Sequence, residues 1–403
     1  MKVSAVGMGT MRYNDDDITA GHLEKCADVV LYAHEKGINF FDSAPFYCQD
    51  KSEIITGMAL SQLKRDSFYI SSKVNLGVLN NDSSADAFRR RLETSLKRLK
   101  VDYLDFYYLW CMLDLESFRK QYDLLYKHFE QAKADGLIRH ITISSHMQGN
   151  ELEKVVETGL FDGMLIGYNA LNYRFRQAGI AAAAARGMGI AVMNPLGGGL
   201  IPQNPETFSY LAEGTNLTVA QAAVRFVASH KEISVALVGI SSKEQVDDAV
   251  KAVENLVERP AAEIYEEYEK KGIALNNLCT GCAYCDHCPV GIEIPKYMDA
   301  YNAKLLGHDM AGRIKYHWHV PISKAGECIR CGQCIDACPM GLNPSLLGRL
   351  AVQRYEDLAE VEDEGQEEER GRDLDHGLVG AGRGGGSLGG GHPRGLPVEP
   401  VPC

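Results

Sequence analysis

The sequence predicts an α/β fold, in which a (β/α)8 or TIM barrel is followed by a small cysteine-rich domain and a disordered tail. Three observations support this prediction. From residue 3 to about residue 257, short β-rich apolar runs alternate with amphipathic helical stretches, which is the pattern of repeated βα units around a parallel sheet. Eight of the 12 cysteines lie between Cys279 and Cys338. From residue 356 the chain is acidic and then rich in glycine and proline, so it buries too little apolar surface to offset chain entropy.

The eight apolar runs are the candidate strands of the barrel, at residues 3–9, 38–44, 68–74, 103–110, 139–145, 163–168, 189–193 and 235–240. Helical periodicity follows each run. Thr218 with Gln221 resembles a capping box at the start of the seventh helix, and Ser242 with Gln245 resembles another at the start of the eighth. Eight units in about 255 residues match a closed barrel better than an open doubly wound sheet, and no G-x-G-x-x-G run opens a helix after a strand.

These patterns divide the chain into four parts. Residues 1–258 are expected to form the barrel, 259–275 a connecting helix, 276–355 the cysteine-rich domain and 356–403 the acidic, then Gly/Pro-rich tail. The cysteine-rich domain is predicted to be small and α-helical. Because the chain starts inside the first strand, we also expect its N-terminus to be incomplete.

Charge and hydropathy exclude several classes of protein. The net charge is −12, but 12 of the 54 acidic residues and only four of the 42 basic residues lie from residue 356 onward. The rest of the chain has nearly equal numbers of acidic and basic residues, so it lacks the excess of basic residues that binds nucleic acid or an anionic membrane. No run approaches the roughly 18 apolar residues of a spanning helix, and no signal-peptide core follows Met1. We therefore expect a cytoplasmic protein with neither nucleic acid nor membrane as partner.

The cysteines form two runs, C-x-x-C-x-x-C-x-x-C-P and C-x-x-C-x-x-C-x-x-x-C-P. Three thiolates at i, i+3 and i+6 on a tight loop can hold three corners of a cubane, while the cysteine before proline points toward the neighbouring cluster. The spacing predicts two [4Fe-4S] clusters. Cluster one takes Cys279, Cys282, Cys285 and Cys338, and cluster two takes Cys328, Cys331, Cys334 and Cys288. Two zinc sites are the alternative, although zinc usually takes paired cysteines separated by a longer loop.

Polar residues also gather at the predicted strand ends. In a barrel of this kind the chemistry sits at the C-terminal ends of the strands. Asp42 lies near the end of strand two, with Tyr47 shortly after it, and Lys73 lies near the end of strand three. A close ammonium lowers the pKa of a phenol and a carboxylate holds that ammonium charged, so the three can form a proton-donor site. The alternative is that they are only the solvated rim of the barrel.

The order of the motifs resembles the aldo/keto reductase family, in the branch with a C-terminal two-cluster [4Fe-4S] ferredoxin-type domain. The resemblance covers about residues 3–350. Its matching segments are Gly9-Thr10-Met11-Arg12, residues 37–44 with Tyr47, Ser71-Ser72-Lys73, residues 95–99 and 102–105, Pro195-Leu196-Gly197-Gly198-Gly199, residues 239–245 and both cysteine runs.

The resemblance implies NADPH-dependent hydride transfer to an aldehyde or ketone, or the reverse. Tyr47 would donate the proton, Lys73 would tune it and Asp42 would hold Lys73. Trp110 stands where the family has its catalytic histidine. The implied partners are a small carbonyl substrate and a redox partner protein for the clusters.

The resemblance also implies a cofactor site at the strand ends and in the loops after strands seven and eight. The predicted cofactor residues are Gly9, Thr10, Met11, Ser144, Ser145, Asn169, Pro195, Leu196, Gly197, Gly239, Ser241, Ser242, Lys243 and Gln245. Glycines allow the close approach of backbone to a ligand, and the N-terminus of the eighth helix suits phosphate. The alternative for the Pro195–Gly199 run is a merely flexible loop.

Three departures from the family pattern support a second hypothesis. Trp110 offers one N–H and cannot titrate. Gly167 stands in place of a glutamine at the nicotinamide, and Asn194 in place of a lysine before the glycine run. A further histidine, His146, lies at the end of strand five. It is either a structural residue or a substitute for the missing catalytic imidazole. The alternative function is an electron-transfer or binding protein whose barrel has lost reductase activity and whose clusters are structural or electron-carrying.

Overall fold

The computed structural model describes residues 2–147, 149–270, 279, 285–338, 342 and 343. Eight parallel strands close into a barrel in the order of the sequence, which confirms the predicted fold class. Each strand lies within three residues of its predicted bounds. The strands are β1 Val6–Gly9, β2 Phe40–Asp42, β3 Tyr69–Val74, β4 Leu104–Met112, β5 Ile138–Ser145, β6 Gly163–Gly167, β7 Gly189–Met193 and β8 Val235–Gly239.

Helices separate the strands and continue into the cysteine-rich region. Those of the barrel are α1 Asp15–Ala20, α2 Leu23–Glu35, the short α3 Tyr47–Asp50, α4 Ser52–Leu60, α5 Ala85–Leu99, α6 Leu115–Ala134, α7 Gly149–Glu157, α8 Tyr173–Ala185, α9 Leu200–Gln203, α10 Val219–Ala228 and α11 Lys243–Ala252. The helices that follow are α12 Ala261–Lys270, α13 Ile294–Leu305, α14 Met310–Gly312 and α15 Gln333–Asp336. Among the described residues, no helix is long and apolar enough to cross a membrane.

Of the two predicted capping boxes, one is complete in the structure and the other is only partly formed. Thr218 and Gln221 form a full box at the start of α10, as predicted. Ser242 does cap α11 by accepting from the Gln245 backbone. The Gln245 side chain, however, accepts from the Ser241 backbone N–H at 2.8 Å instead of returning to Ser242. The second box is therefore only half formed.

The strand register decides which side chains share the barrel interior. Residues opposite each other on neighbouring parallel strands point to the same face. One interior layer packs Phe40, Tyr108, Leu165, Ala191, Val235 and Leu237. Asp42 lies opposite Ser71, and Lys73 lies opposite Tyr108. Both Asp42 and Lys73 are thus carried on interior positions at the C-terminal ends of β2 and β3.

A buried polar chain fastens α12 to the barrel. His230 lies between the Phe226 carbonyl, 2.8 Å from Nδ1, and the Tyr168 hydroxyl, 2.8 Å from Nε2. A carbonyl can only accept, so Nδ1 carries a proton and donates it to the Phe226 carbonyl. The hydroxyl of Tyr265 on α12 lies 3.0 Å from that of Tyr168. Burial is the main cause that lowers the pKa of His230 to about 4, so the ring is neutral near pH 7.

The described residues form two compact units that divide between positions 283 and 284. In the second unit the buried carboxylate of Asp299 accepts from Arg313 Nε at 2.7 Å and from the Trp318 indole N–H at 2.6 Å. This unit is largely helical, as predicted. The predicted tail, residues 356–403, lies outside the described residues.

Candidate active site and cysteine pocket

Asp42 and Lys73 form a buried ion pair at the barrel mouth. Lys73 Nζ lies 2.6 Å from Asp42 Oδ2 and 2.8 Å from the Ser43 carbonyl oxygen. Ser71 donates to the other carboxylate oxygen at 2.6 Å. Lys73 is 1% exposed and Asp42 5%. Burial lowers the pKa of Lys73, while the neighbouring Asp42 acts in the opposite sense. The ammonium is therefore held firmly yet gives up its proton more readily than an exposed lysine does.

Tyr47 joins this pair. It is 7% exposed and its ring centroid lies 4.8 Å from Lys73 Nζ, within the range of a cation–π contact. The three residues predicted to form a proton-donor site are thus together. A phenol beside a buried ammonium is a suitable acid, because the ammonium stabilises the phenolate left behind.

Trp110 forms a wall beside Tyr47. The two rings meet edge to face with centroids 5.9 Å apart, and Trp110 is 2% exposed. This contact fixes one face of the phenol. A catalytic role for the indole stays a prediction.

A cluster of buried hydroxyls lies on the strand ends next to the ion pair. The Ser52 hydroxyl lies 2.7 Å from that of Thr10 and 2.8 Å from that of Ser43. Thr10 also donates to the Asp42 carbonyl at 2.9 Å. The Thr10 hydroxyl, predicted to serve the cofactor, is therefore engaged within the protein.

Sequence reasoning missed a second polar cluster on the outer side of β3. Glu53 accepts from the Ser72 hydroxyl at 2.7 Å and from Arg91 at 2.9 Å. Ser72 lies between Ser71 and Lys73, so strand alternation could have placed it on the opposite face. Nothing local in the sequence points to Arg91, which lies 38 residues from Glu53.

Three predicted cofactor residues differ in whether their side chains already have hydrogen-bond partners within the protein. The Ser145 hydroxyl donates to the Met112 carbonyl and accepts from the Met147 N–H, each at 3.0 Å. The Asn169 side chain accepts from the Leu171 N–H at 2.9 Å in the loop after β6 and donates to the Asn194 carbonyl at 3.1 Å in the loop after β7. The Ser144 hydroxyl is buried and has no hydrogen-bond partner among the described residues. Ser144 shares its register with Leu165 of the interior layer, so it is the group best placed to bond a ligand.

The loop after β7 requires its glycines. Gly197, Gly198 and Gly199 have φ of 64°, 69° and 95°, and Asn194 before Pro195 and Leu196 has φ of 64°. Only glycine adopts such angles at little steric cost. The run is a defined left-handed loop, and its lack of side chains leaves backbone open to a ligand.

The remaining predicted cofactor residues lie on the ends of β1 and β8. Gly9 and Gly239 are in register, and a Cβ at Gly239 would come within 2.9 Å of Arg12 Cγ. Met11 follows Gly9 and is half-buried. At the N-terminus of α11, Ser241 and Ser242 bond Gln245, and Lys243 is exposed with Nζ 5.3 Å from the Tyr32 ring centroid. A buried unsatisfied hydroxyl, glycine loops and a ten-residue helix N-terminus together fit a dinucleotide.

In the second unit, five cysteines line one pocket. They are Cys285, Cys288, Cys328, Cys331 and Cys334. None of them is in a disulfide, and Ile292, Ile294 and Tyr297 are among the apolar walls. Four of the five are the predicted ligands of cluster two. Among the described residues no three Cys, His, Asp or Glu side chains are close enough to hold a single metal ion. Cys282 lies outside the described residues.

Cysteine side chains outside disulfides, beside apolar walls, suit an iron–sulfur cluster, because thiolates are its usual ligands and a low-polarity shell is one of the features that set its potential. What suits a cluster here is the chemistry of the cysteine side chains. His287 also lines the pocket.

Comparisons with known proteins agree with this architecture. The model of the aldo/keto reductase family matches residues 5–269, and that of a 4Fe-4S dicluster domain matches residues 278–342. L-galactose dehydrogenase of Arabidopsis thaliana is 27% identical over 290 residues, covering 64% of this chain and 86% of that protein. The NADH-specific methylglyoxal reductase of Escherichia coli is 26% identical over 215 residues, covering 49% of this chain and 65% of that relative, just under two thirds.

Solved structures show the same barrel. The holo form of an aldo-keto reductase from Bacillus halodurans superposes with a TM-score of 0.55 at 24% identity, covering 66% of this chain and 92% of that one. An aldo-keto reductase from Klebsiella pneumoniae in complex with NADPH gives a TM-score of 0.54 at 21% identity, covering 66% and 91%. At this identity the likeness shows the fold alone. With the family model spanning residues 5–269, the chain belongs to the aldo/keto reductase family and carries a 4Fe-4S dicluster domain after the barrel.

Proposed function

We propose that the barrel is an NADPH-dependent carbonyl reductase in which Tyr47 donates the proton. The observation that carries the proposal is the buried Lys73 ammonium, bonded to Asp42 at 2.6 Å and 4.8 Å from the Tyr47 ring centroid. Membership of an oxidoreductase family supports it. The substrate class is a small aldehyde or ketone.

The chain's own residues donate the proton and stabilise the group that has lost it. When bound, NADPH supplies a hydride to the carbonyl carbon and is oxidised to NADP⁺. The Tyr47 hydroxyl donates a hydrogen bond to the carbonyl oxygen and gives that oxygen its proton as negative charge develops there. Lys73 stabilises the resulting phenolate, and Asp42 with the Ser43 carbonyl keeps Lys73 in place. A proton from solvent restores the phenol, so one carbonyl becomes one alcohol.

The same proposal assigns the cofactor's contacts. Ser144 would bond the nicotinamide amide, since its buried hydroxyl has no hydrogen-bond partner in the part of the chain that the structure describes. Gly197 and its neighbours would admit the phosphates to the backbone. The N-terminus of α11, with exposed Lys243, would face the cofactor's negative charge. The bound NADPH of the Klebsiella pneumoniae reductase supports this choice of cofactor.

For residues 278–342, which match the 4Fe-4S dicluster model, we propose two [4Fe-4S] clusters with the ligand sets predicted from the cysteine spacing. The pocket lined by Cys288, Cys328, Cys331 and Cys334 supports the set of cluster two. A second candidate function, an electron-transfer protein with an inactive barrel, is favoured by Trp110, which stands against Tyr47 where a titratable ring is expected. Clusters take one electron at a time, whereas a nicotinamide gives two as hydride. A direct link between the two centres would therefore need a further cofactor.

The test is Tyr47→Phe with Tyr126→Phe as matched control. Tyr126 donates its hydroxyl to the Leu160 carbonyl on the barrel exterior, away from Tyr47. NADPH oxidation is followed with a panel of small aldehydes and ketones. We expect kcat to fall on the order of 10²–10⁴-fold in Tyr47→Phe, the usual range for removing a general acid, and to stay unchanged in the control.

Turnover unchanged in Tyr47→Phe would contradict the proposed reductase. Wild-type protein that is loaded with iron, carries electrons and never oxidises NADPH with any carbonyl would favour the electron-transfer candidate. Iron and sulfide counts after anaerobic purification test the cluster number. Bleaching of the cluster absorbance on addition of NADPH would link the two centres.

A further inference from the structure

The turn that follows Tyr47 has an unusual backbone. Cys48, Gln49 and Asp50 have φ of 53°, 56° and 61°, and Phe46 on the other side of Tyr47 has φ of 69°. None of them is glycine. Left-handed angles bring Cβ close to the following carbonyl oxygen, so three successive L-residues in this region form a strained turn. Such a turn persists only where its surroundings hold it.

Asp50 forms hydrogen bonds on both sides of this turn. Its two carboxylate oxygens accept from Arg98 of α5 at 2.7 and 2.8 Å, a bidentate pair. One of them also accepts from the Phe46 backbone N–H at 3.2 Å. Although burial acts to raise it, hydrogen bonds from Arg98 and Phe46 lower the pKa of Asp50. One carboxylate thus ties the residue before Tyr47 to the helix behind the turn.

The far side of the turn is anchored separately. Ser52 bonds the ends of β1 and β2 through Thr10 and Ser43. Glu53 is 1% exposed and lies 3.6 Å from Arg98 through the same guanidinium nitrogen that reaches Asp50. With both flanks fixed, the conformation between residues 46 and 51 decides where the Tyr47 ring points.

We infer that Asp50 and Arg98 are positioning residues for the reaction proposed above, holding the left-handed turn that sets the Tyr47 ring beside the Lys73 ammonium. The inference rests on the proposed function of Tyr47. Neither residue touches the reacting atoms. An ion pair with Asp50 40% exposed would add little to stability as an isolated surface pair, but bidentate geometry fixes orientation.

Positioning and plain structural support predict opposite results for Asp50→Gly. Glycine accepts a left-handed φ without strain but removes the carboxylate. If the pair positions Tyr47, the melting temperature stays equal or rises while hydride transfer slows. If the pair only braces the fold, the melting temperature falls and the rate per folded molecule is unchanged.

The experiment compares Asp50→Gly and Arg98→Lys with Asp135→Asn as matched control. Asp135 pairs with Arg89, also on α5 but away from the turn. Single-turnover hydride transfer from NADPH to an aldehyde is measured by stopped flow, with melting temperatures alongside. In parallel, 3-fluorotyrosine placed at position 47 reports the ring by 19F NMR. We expect the transfer rate to fall at least tenfold in Asp50→Gly, since misplacing a reacting group by an ångström can cost on the order of 10²-fold.

Arg98→Lys keeps the positive charge but cannot form the bidentate contact, so the hydride-transfer rate should fall by less than in Asp50→Gly. It also serves if Asp50→Gly does not fold. The 19F signal should be single and sharp in wild type and Asp135→Asn, and shifted or broadened in Asp50→Gly. Transfer rates and 19F signals that are unchanged in both turn variants would overturn the inference. If wild type transfers no hydride, the proposed function fails, and the 19F signal alone then decides whether the pair positions Tyr47.

Discussion

The barrel mouth and the cysteine pocket satisfy their polar groups in different ways. In the barrel, Asp42 and Lys73 bond each other and their neighbours, so the chain alone completes the site. In the pocket, none of the five thiols is in a disulfide, and apolar side chains form part of the walls. The first site is organised by folding. The second is a donor set whose geometry an external cluster would complete, and the two should therefore respond differently to mutation, pH and cofactor.

The largest effect is expected from removing a cluster ligand. Cys334→Ser should abolish cluster two and lower the iron content from about eight to about four per chain, because serine is a poor replacement for thiolate. Structural metal sites can contribute on the order of 10 kcal/mol to folding, so the second unit should also lose protease resistance. Far-UV dichroism of the barrel and NADPH binding should persist.

Cys26→Ser is the control for Cys334→Ser, since Cys26 is a buried free cysteine of α2 outside both runs. It should keep its full iron content. Equal iron in Cys334→Ser and wild type would remove Cys334 from the ligand set. Loss of NADPH binding along with iron would break the contrast between the two sites.

An intermediate effect is expected from pH on the barrel. The folded state depresses the pKa of His230 to about 4, below its value of about 6.5 in the unfolded chain, so the unfolded state binds more protons between these values. The stability that His230 contributes is complete above pH 6.5 and is lost as the pH falls toward 4, by roughly 3 kcal/mol. Urea unfolding of the barrel, monitored at pH 7 and 4.5, measures the loss.

His230→Gln sharpens this measurement. Glutamine keeps hydrogen-bonding groups near Tyr168 but does not titrate over this range. The difference in stability between pH 7 and 4.5 should shrink by most of the His230 contribution. An identical pH dependence in the variant would mean that other groups carry it.

The smallest effect is expected at Ser144. Ser144→Ala removes a buried hydroxyl that has no hydrogen-bond partner among the described residues. The free protein should therefore be as stable or slightly more stable, while NADPH binding weakens by about 0.5–1.5 kcal/mol, or up to roughly tenfold in Kd. Ser145→Ala is the contrast, because its hydroxyl bonds Met112 and its loss should lower stability. Unchanged NADPH affinity in Ser144→Ala would remove Ser144 from the cofactor site.

The sequence was sufficient for the fold and for the central pair of the site. Apolar runs that alternate with helical stretches predicted all eight strands, because a strand of a parallel sheet is buried on both faces and must be apolar. Asp42 and Lys73 could be placed together because both close such runs. The cysteine spacing likewise gave the dicluster domain, which the family model confirms.

Other parts of the site left no local pattern. The contact of Asp50 with Arg98 joins residues 48 apart, and only the fold brings them together. The left-handed turn after Tyr47 could not be predicted from the sequence, because none of its residues is glycine. A cofactor role for Thr10 stays a prediction; its hydroxyl bonds Ser52, and that partner depends on the side-chain rotamer and not on residue type. The order of strands and helices can thus be predicted from a single sequence, whereas side-chain contacts between distant segments cannot.

The three successive left-handed glycines after β7 have a consequence for mutagenesis. Alanine at residue 197, 198 or 199 would meet the steric cost of its φ before any ligand contact is altered. An alanine scan of this loop would consequently report conformational tolerance, and a weakened dinucleotide affinity found there could not be assigned to a lost contact. D-alanine, introduced by chemical ligation, adds the same methyl group with the opposite preference for φ and would separate the two contributions.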